Sequence, residues 1–372
     1  DIEALLIRII QGRSVALFGE KRIGKTSLLF ILRDIINSEI SRYSQDLIDL
    51  DLKDYLDNLD HDTGRFQSVY LSLQSLSSFN LENFLVLLHS KLKHVEYFQL
   101  LAEPKEDTSL SGFLSEVSKY LGPSKVIVVL IDEAEILLDI ENNKNFFGNL
   151  KSSTQAFPNI CFVLSGAELW HKRLKDEITD LINNIEIFYL KRPLRNPIIE
   201  YLVKQPLETV ITPSEKLNRV VDKIVNWTSC KPFYLQEVCE TLLENKDQLG
   251  HLPDGWEDNL AESVKRSLEF SLDNFYEDPS LDKSTHKILI LLANQPGLTI
   301  KQISKLLRLS QKHIKERLDD LEMLDKVLKE NVTHNNLFRT REEYKIVGSL
   351  IESWGREKFD SPVNSNSVGN LV

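Results

Sequence analysis

The sequence predicts an α/β protein: a parallel five-stranded sheet with helices on both faces, then an all-helical segment, then a small unit of three helices and a hairpin. Three observations carry this. Short apolar, β-branched runs alternate with helical stripes over the first half of the 372 residues. A glycine-containing turn joins the first of these runs directly to a helix. From about Asn196 the strand pattern stops, and apolar residues recur at helical spacing.

Taken in order, Asp1 to Gln11 reads as an amphipathic helix on Ile2, Leu5, Leu6, Ile9 and Ile10, ended by Gly12. Ser14 to Phe18 is a short buried strand, and Thr26 to Ile36 is a helix with Leu28, Leu29, Leu32, Ile35 and Ile36 on one face. Between them, Gly19-Glu20-Lys21-Arg22-Ile23-Gly24-Lys25-Thr26 fits the phosphate-loop pattern G-x-x-x-x-G-K-[ST]. Gly19 and Gly24 let the backbone wrap an anion, so that N–H dipoles and the helix N-terminus, which Ser27 helps open, face phosphate. Lys25 supplies a charge toward the β- and γ-phosphates, and the Thr26 hydroxyl is placed to ligate Mg²⁺. The motif and both flanks predict nucleotide binding.

Residues 38–62 follow as an acidic insertion: eight Asp/Glu (39, 46, 49, 51, 54, 57, 60, 62) face only Arg42 and Lys53. A solvated surface segment is the favoured reading, and a dedicated partner surface is the alternative. Phe66 to Leu71 reads as a strand, Leu81 to Lys93 and Phe113 to Tyr120 as helices, and Lys125 to Ile131 as a fully apolar strand ending in Asp132-Glu133. Ile160 to Leu164, ending in Ser165-Gly166, and Ile185 to Leu190, closed by Lys191-Arg192-Pro193, complete five strands. Helical stripes follow on Leu217, Val220, Val221, Ile224 and Val225, on Leu235, Val238, Cys239, Leu242 and Leu243, and from Trp256 to Phe275. Helices at His286–Ala293, Ile300–Leu307 and Gln311–Leu324, with strand-like pieces near Val327 and Tyr344, read as a winged helix. The expected organisation is a nucleotide-binding core at 1–193, a helical lid at 194–278, a winged helix at 281–358 and a flexible tail or linker at 359–372.

A net charge of −11 argues against a protein that coats nucleic acid over its whole surface. Three cysteines without paired spacing, Cys161, Cys230 and Cys239, point to neither a zinc site nor a disulfide framework and fit a reducing cytoplasm. No apolar run is long enough to span a bilayer, and no membrane partner is expected. Residue 1 is Asp and the only methionine is Met323, so the chain is expected to be a piece of a longer protein.

An apolar strand delivers Asp132 and Glu133 to the carboxyl edge of the sheet, where open α/β folds bind ligands. Asp132 is assigned to Mg²⁺ with Thr26, and Glu133 to polarising the water that attacks the γ-phosphate. Ser165, at the tip of the next apolar strand, is a candidate polar sensor of that phosphate.

Together these residues resemble the AAA+ class of P-loop ATPases, and more narrowly its STAND-type branch, including the archaeal-type ATPase family. Leu17 to Leu29 is similar to that family's apolar-G-x-R-R-x-G-K-T-S-L-L, and Val129-Leu130-Ile131-Asp132-Glu133 and Phe162-Val163-Leu164-Ser165-Gly166 to its next two motifs. Leu202-Val203-Lys204-Gln205-Pro206 and Trp227 to Gln236 resemble its post-core and lid motifs. The resemblance implies that the Ser165 strand lies between the two motif strands, facing Ser165 to the γ-phosphate. It implies that lid residues around Pro232 close over ATP or ADP with Mg²⁺, that the winged helix packs back on the core at rest, and that an adenine-binding box lies upstream of Asp1. Both lid glycines are replaced, by Ser229 and Cys230, and Lys231 is expected to bring a positive charge near the nucleotide. Arg173 and Arg192 are the nearest arginines to a transition-state finger; without a clear one, hydrolysis is expected to be slow.

Two functions fit. In the favoured one, the chain is an ATP-dependent switch in signalling or defence: exchange of ADP for ATP releases the winged helix, and self-association activates a fused or separate effector domain. In the alternative, it is a DNA-associated AAA+ ATPase, similar to replication initiators or transposition regulators, with the winged helix on duplex. Residues 281–359 carry 15 basic and 11 acidic side chains. Lys312, His313, Lys315 and Arg317 lie near the start of the third helix, but Glu316, Asp319, Asp320 and Glu322 flank them, which favours an intramolecular packing role over DNA.

Overall fold

A computed structural model describes residues 2–20, 22–37, 65–75, 80–139, 143–167, 185–190, 203–209, 211, 214–244, 256–277, 281–323, 326–334 and 339–360. Lys21, the acidic insertion at 38–62, Arg173, Arg192 and tail residues 361–372 lie outside them. The chain divides into two compact units, Asp1–Leu190 and Lys191–Val372.

In the first unit, β1 (Val15–Phe18), β2 (Phe66–Ser72), β3 (Val126–Asp132), β4 (Ile160–Gly166) and β5 (Glu186–Tyr189) form one parallel sheet in the order β2-β3-β4-β1-β5. The order places β4 between the two motif strands, as the resemblance implies. Strand alternation then divides the core. Ile127, Val129 and Ile131 join one apolar cluster, with α3 (Leu81–Leu92), α4 (Leu110–Leu121) and α5 (Asn143–Ala156). Val128 and Leu130 join the other, with α1 (Ile2–Ile10) and α2 (Lys25–Ile36). Each buried Leu, Ile or Phe contributes about 1.5–3 kcal/mol, and a one-residue slip would exchange the faces of these strands and force both clusters to repack at once.

Two features of this unit go beyond the sequence pattern. Helix α4 starts at Leu110 because the Ser109 side chain caps it, accepting from Gly112 N at 3.1 Å. Helix α5 has no signature in the periodicity: Phe146, Phe147 and Leu150 are its only large apolar residues, too few to make a stripe, yet all three are buried.

The second unit opens with α6 (Gln205–Glu208), α7 (Ser214–Thr228), α8 (Pro232–Glu244) and α9 (Trp256–Tyr276). Helices α10 (Lys283–Asn294), α11 (Ile300–Leu307) and α12 (Gln311–Met323) follow, then an antiparallel hairpin of β6 (Val327–His334) and β7 (Arg339–Ile346). A bridge between Leu298 and Tyr344 adds a short third strand, which completes the winged-helix arrangement.

A final helix, α13 (Ser349–Asp360), is absent from the sequence expectation, and it ties the unit together. Tyr276 of α9 is buried and donates from its hydroxyl to Ile351 O at 2.8 Å. Gly355 lies against that phenol so closely that a Cβ there would overlap it. Asp273 accepts from Trp354 Nε1 at 3.1 Å and pairs with Lys358 at 2.6 Å, and Lys265 pairs with Glu357 at 2.5 Å. One apolar cluster therefore runs from Val203 through α7, α8 and α9 into the winged helix. No helix among the described residues is long and apolar enough to cross a membrane.

Candidate functional site

The phosphate loop follows from local geometry. Gly24 is the N-cap of α2 at φ 101°, a conformation closed to residues with a Cβ, and it leaves the first helical N–H groups free of side-chain capping. A Cβ on Gly19 would lie 2.9 Å from Ile23 Cγ2 and 3.1 Å from Leu190 O, so the loop closes on itself only through glycine. Arg22 also sits at positive φ, 65°. Lys25 Nζ donates to the loop's own carbonyls, Gly19 O at 2.7 Å and Glu20 O at 2.9 Å, which holds the ammonium at the loop.

Strand β3 brings the acids to this loop from more than a hundred residues away. Thr26 Oγ1 donates to Asp132 Oδ2 at 2.6 Å. The same oxygen accepts from the Tyr70 hydroxyl at 3.1 Å, while Asp132 Oδ1 accepts from Glu133 N at 3.1 Å. Asp132 is buried, and Glu133 is partly buried at φ 57°, a strained backbone for a non-glycine residue. The pair does not cap an α-helix; a 3₁₀ segment, Ala134–Asp139, follows it. The Tyr70 phenol is held well above the ordinary tyrosine range, first by burial, then by the charge of Asp132 and its hydrogen bond, and by Glu133, against a lowering bond with Ser72. It stays a donor at neutral pH.

Ser165 lies inside β4 rather than beyond its end, paired in register with Leu17 and one residue past the Ile131–Leu164 pair. It is fully buried, and its Oγ meets no hydrogen-bond partner among the described residues. An orphaned hydroxyl beside the Asp132 strand, a glycine cradle, a held lysine and a Thr–Asp donor pair fit a Mg-nucleotide. Gly19, Gly24 and Lys25 would hold the phosphates, and Thr26 and Asp132 the ion.

In the second unit, Pro232 opens α8. The two residues that replace lid glycines, Ser229 and Cys230, have φ 47° and 63°, so the chain keeps a glycine-like turn without glycine. Lys231 is not an exposed charge. It is buried at 3% exposure, with Nζ 5.6 Å from the centre of the Phe275 ring, packed within its own unit.

The third winged-helix helix also differs from expectation. Ile314, Leu318 and Leu321 are its fully buried core stripe, in keeping with their spacing. Arg317 is engaged by Asp282 at 3.2 Å and Asp320 at 2.9 Å, and the His313 ring lies 3.0 Å from Ser284 Oγ. Asp282, which caps α10, is held down to about 2: burial opposes ionisation, but bonds from Ser284, Thr285 N and Thr285 Oγ1 and the Arg317 charge outweigh it. Lys312 and Lys315 stay exposed, and beside them Lys301, Lys305 and Arg308 are exposed on α11 and the turn after it. No Asp or Glu occurs between Asp282 and Glu316, so the stretch from Lys283 to Lys315 is basic, and the acids Glu316, Asp319, Asp320 and Glu322 follow it on α12. Charge averaged over residues 281–359 hides this; the acid-free run would have shown it. In the hairpin, by contrast, Lys329 pairs with Glu342 at 2.8 Å and Lys345 with Glu330 at 2.5 Å. Tyr70 is the other site residue the sequence does not reveal.

Residues 281–327 match the family model described as winged helix-turn-helix DNA-binding. No curated protein matches the sequence. Among solved structures, the chain is similar to the Walker-type ATPase of Pyrococcus abyssi, with a TM-score of 0.58 at 18% identity over 96% of this chain and 95% of that one. It is also similar to the ORC2 protein of Aeropyrum pernix, solved in ADPNP and ADP complexes, with a TM-score of 0.56 at 12% identity over 97% and 94%. At these identities the likeness shows the fold alone: a five-stranded parallel α/β core followed by helices and a C-terminal winged helix.

Proposed function

We propose that the chain is an ATP-binding, ATP-hydrolysing AAA+ ATPase that associates with duplex DNA through its winged helix. For the ATPase half, the supporting observation is the 2.6 Å bond from Thr26 to Asp132, which joins the phosphate loop to the acid strand. Lys25 holds the β- and γ-phosphates, with Glu20, Lys21, Arg22, Ile23 and Ser27 lining the loop. Thr26 and Asp132 hold Mg²⁺, which when bound draws off phosphate charge. Glu133 orients the attacking water and takes its proton, and Ser165 donates to the γ-phosphate.

For the DNA half, the supporting observation is the acid-free stretch from Lys283 to Lys315, with Lys301, Lys305, Arg308, Lys312 and Lys315 exposed. The match to a DNA-binding winged helix-turn-helix and the likeness to an ORC2 protein favour this reading over the signalling or defence switch. The test is binding to random-sequence duplex at graded salt. Affinity should fall with a log–log slope of several units; binding that ignores salt, or none at low salt, refutes the proposal.

A further inference from the structure

We propose that Tyr70 is a positioning residue for the Mg²⁺-holding carboxylate of Asp132. The inference rests on the nucleotide-site reading above and extends it to a residue outside the loop and acid motifs. A carboxylate on a single Cβ turns readily, because its terminal torsion is broad. Here three donors fix it: Thr26 Oγ1 and Tyr70 OH on Oδ2, at 2.6 and 3.1 Å, and Glu133 N on Oδ1 at 3.1 Å. Thr26 is itself a ligand in this reading, and Glu133 N is the next residue of the same chain. Tyr70 reaches Asp132 from a different strand, β2.

Tyr70 is in turn built into place. Its ring lies 4.6 Å from that of Phe30, tilted by 41°, and the Arg33 guanidinium sits 5.0 Å from the Phe30 ring centre. Phe30 is one helical turn beyond Thr26, so α2 presents the ligand hydroxyl and the support for the second donor from one face. The register of β2 on β3 pairs Tyr70 with Leu130 and Ser72 with Asp132, which sets the phenol to reach diagonally to the carboxylate. Groups that hydrogen-bond a metal ligand from behind orient it, and removing one typically weakens metal binding about 10–100-fold.

The test uses the whole chain and a fluorescent ATP analogue, titrated at graded Mg²⁺ and in EDTA. Tyr70→Phe keeps the ring on Phe30 and removes only the hydroxyl. The expected result is a rise of about 10-fold in the Mg²⁺ concentration for half-maximal tightening, with affinity in EDTA unchanged. Phe30→Leu, which removes the stacking partner and leaves the phenol, should shift the midpoint the same way by less. Unchanged midpoints in both variants, or equal weakening with and without Mg²⁺, overturn the assignment of Tyr70. If the wild-type chain itself binds the analogue without regard to Mg²⁺, the metal-site reading fails and the assignment with it.

Discussion

Two of the bends at which the chain enters left-handed backbone space differ in kind, one opened by glycine and the other without it. Before α2 the residue is Gly24 at φ 101°; between α7 and α8 they are Ser229 and Cys230 at φ 47° and 63°. The phosphate loop needs an unobstructed backbone, because its N–H groups are the binding surface and a side chain would stand over them. The second bend needs only to turn. The Thr228 hydroxyl accepts from Cys230 N at 3.3 Å and donates to Ile224 O at 2.8 Å, and Cys230 is buried. A left-handed residue with a Cβ costs about 1–2 kcal/mol, which packing and the Thr228 bonds offset. At Gly24 the glycine keeps the approach open, whereas at Ser229 and Cys230 only the shape matters; Arg22, at φ 65° in the same loop, carries a side chain in left-handed space there too. Glu133, at φ 57°, is a third case: there the strain sits on the residue proposed to orient the attacking water.

The sharpest way to break this comparison is at Glu133. Glu133→Gln keeps the shape and charge-free hydrogen bonding of the side chain but cannot take a proton. Nucleotide affinity should stay within about 2-fold, while single-turnover hydrolysis falls by roughly 10²–10⁴, the usual contribution of a positioned base. Normal hydrolysis in this variant would place the base elsewhere and leave the strain at 133 without a functional account. Lys25→Ala comes next. Removing a charged hydrogen-bond donor to phosphate costs about 1.5–3 kcal/mol, so ATP affinity should drop by roughly 10- to 100-fold in equilibrium binding. The C-terminal unit should melt as before. Wild-type ATP affinity would refute the loop as the binding site.

On the DNA side the comparison is between the bare cations of the helix-turn-helix and the paired ones of the hairpin. Lys301→Ala, Lys305→Ala and Arg308→Ala together should lower the salt slope of duplex binding by about 2–3, near 0.9 for each phosphate no longer neutralised. Lys329→Ala with Lys345→Ala should change it by less than one. Equal slopes from both sets would mean that the pairing seen in the hairpin does not matter to DNA.

How much of this is legible in the sequence depends on the range of the interaction. The phosphate loop, the Asp132-Glu133 strand end and the core stripes are local patterns, so periodicity and spacing find them. Ser165 is found as a strand end, but its isolation inside β4 needs the sheet. Tyr70 is invisible because its bond depends on the register of β2 against β3, strands separated by 53 residues from Ser72 to Val126. Lys231 and Arg317 look like free charges because a sequence does not show Phe275 or Asp282 folding back onto them. Helix α13 is passed over although Leu350, Ile351 and Trp354 lie at helical spacing, because the charged residues among them hide a short stripe whose partners, among them Tyr276, lie some 75 residues away.

The smallest predicted effect is the most direct measure of the opening contrast. Ser229 is only partly buried, so Ser229→Gly gives up little packing while removing the left-handed penalty of about 1–2 kcal/mol. Glycine also loosens the unfolded chain by about 0.4–1 kcal/mol, so the net gain should be roughly 0.5–1 kcal/mol, seen as a rise of about 2 °C in the unfolding midpoint of the C-terminal unit. Cys230→Gly should show no such gain. Its side chain is 8% exposed and packs in the shared core, so the apolar burial given up offsets the strain relieved. If Ser229→Gly instead lowers the midpoint, the serine makes a contact worth more than the strain, and the bend was kept for that contact rather than for its shape.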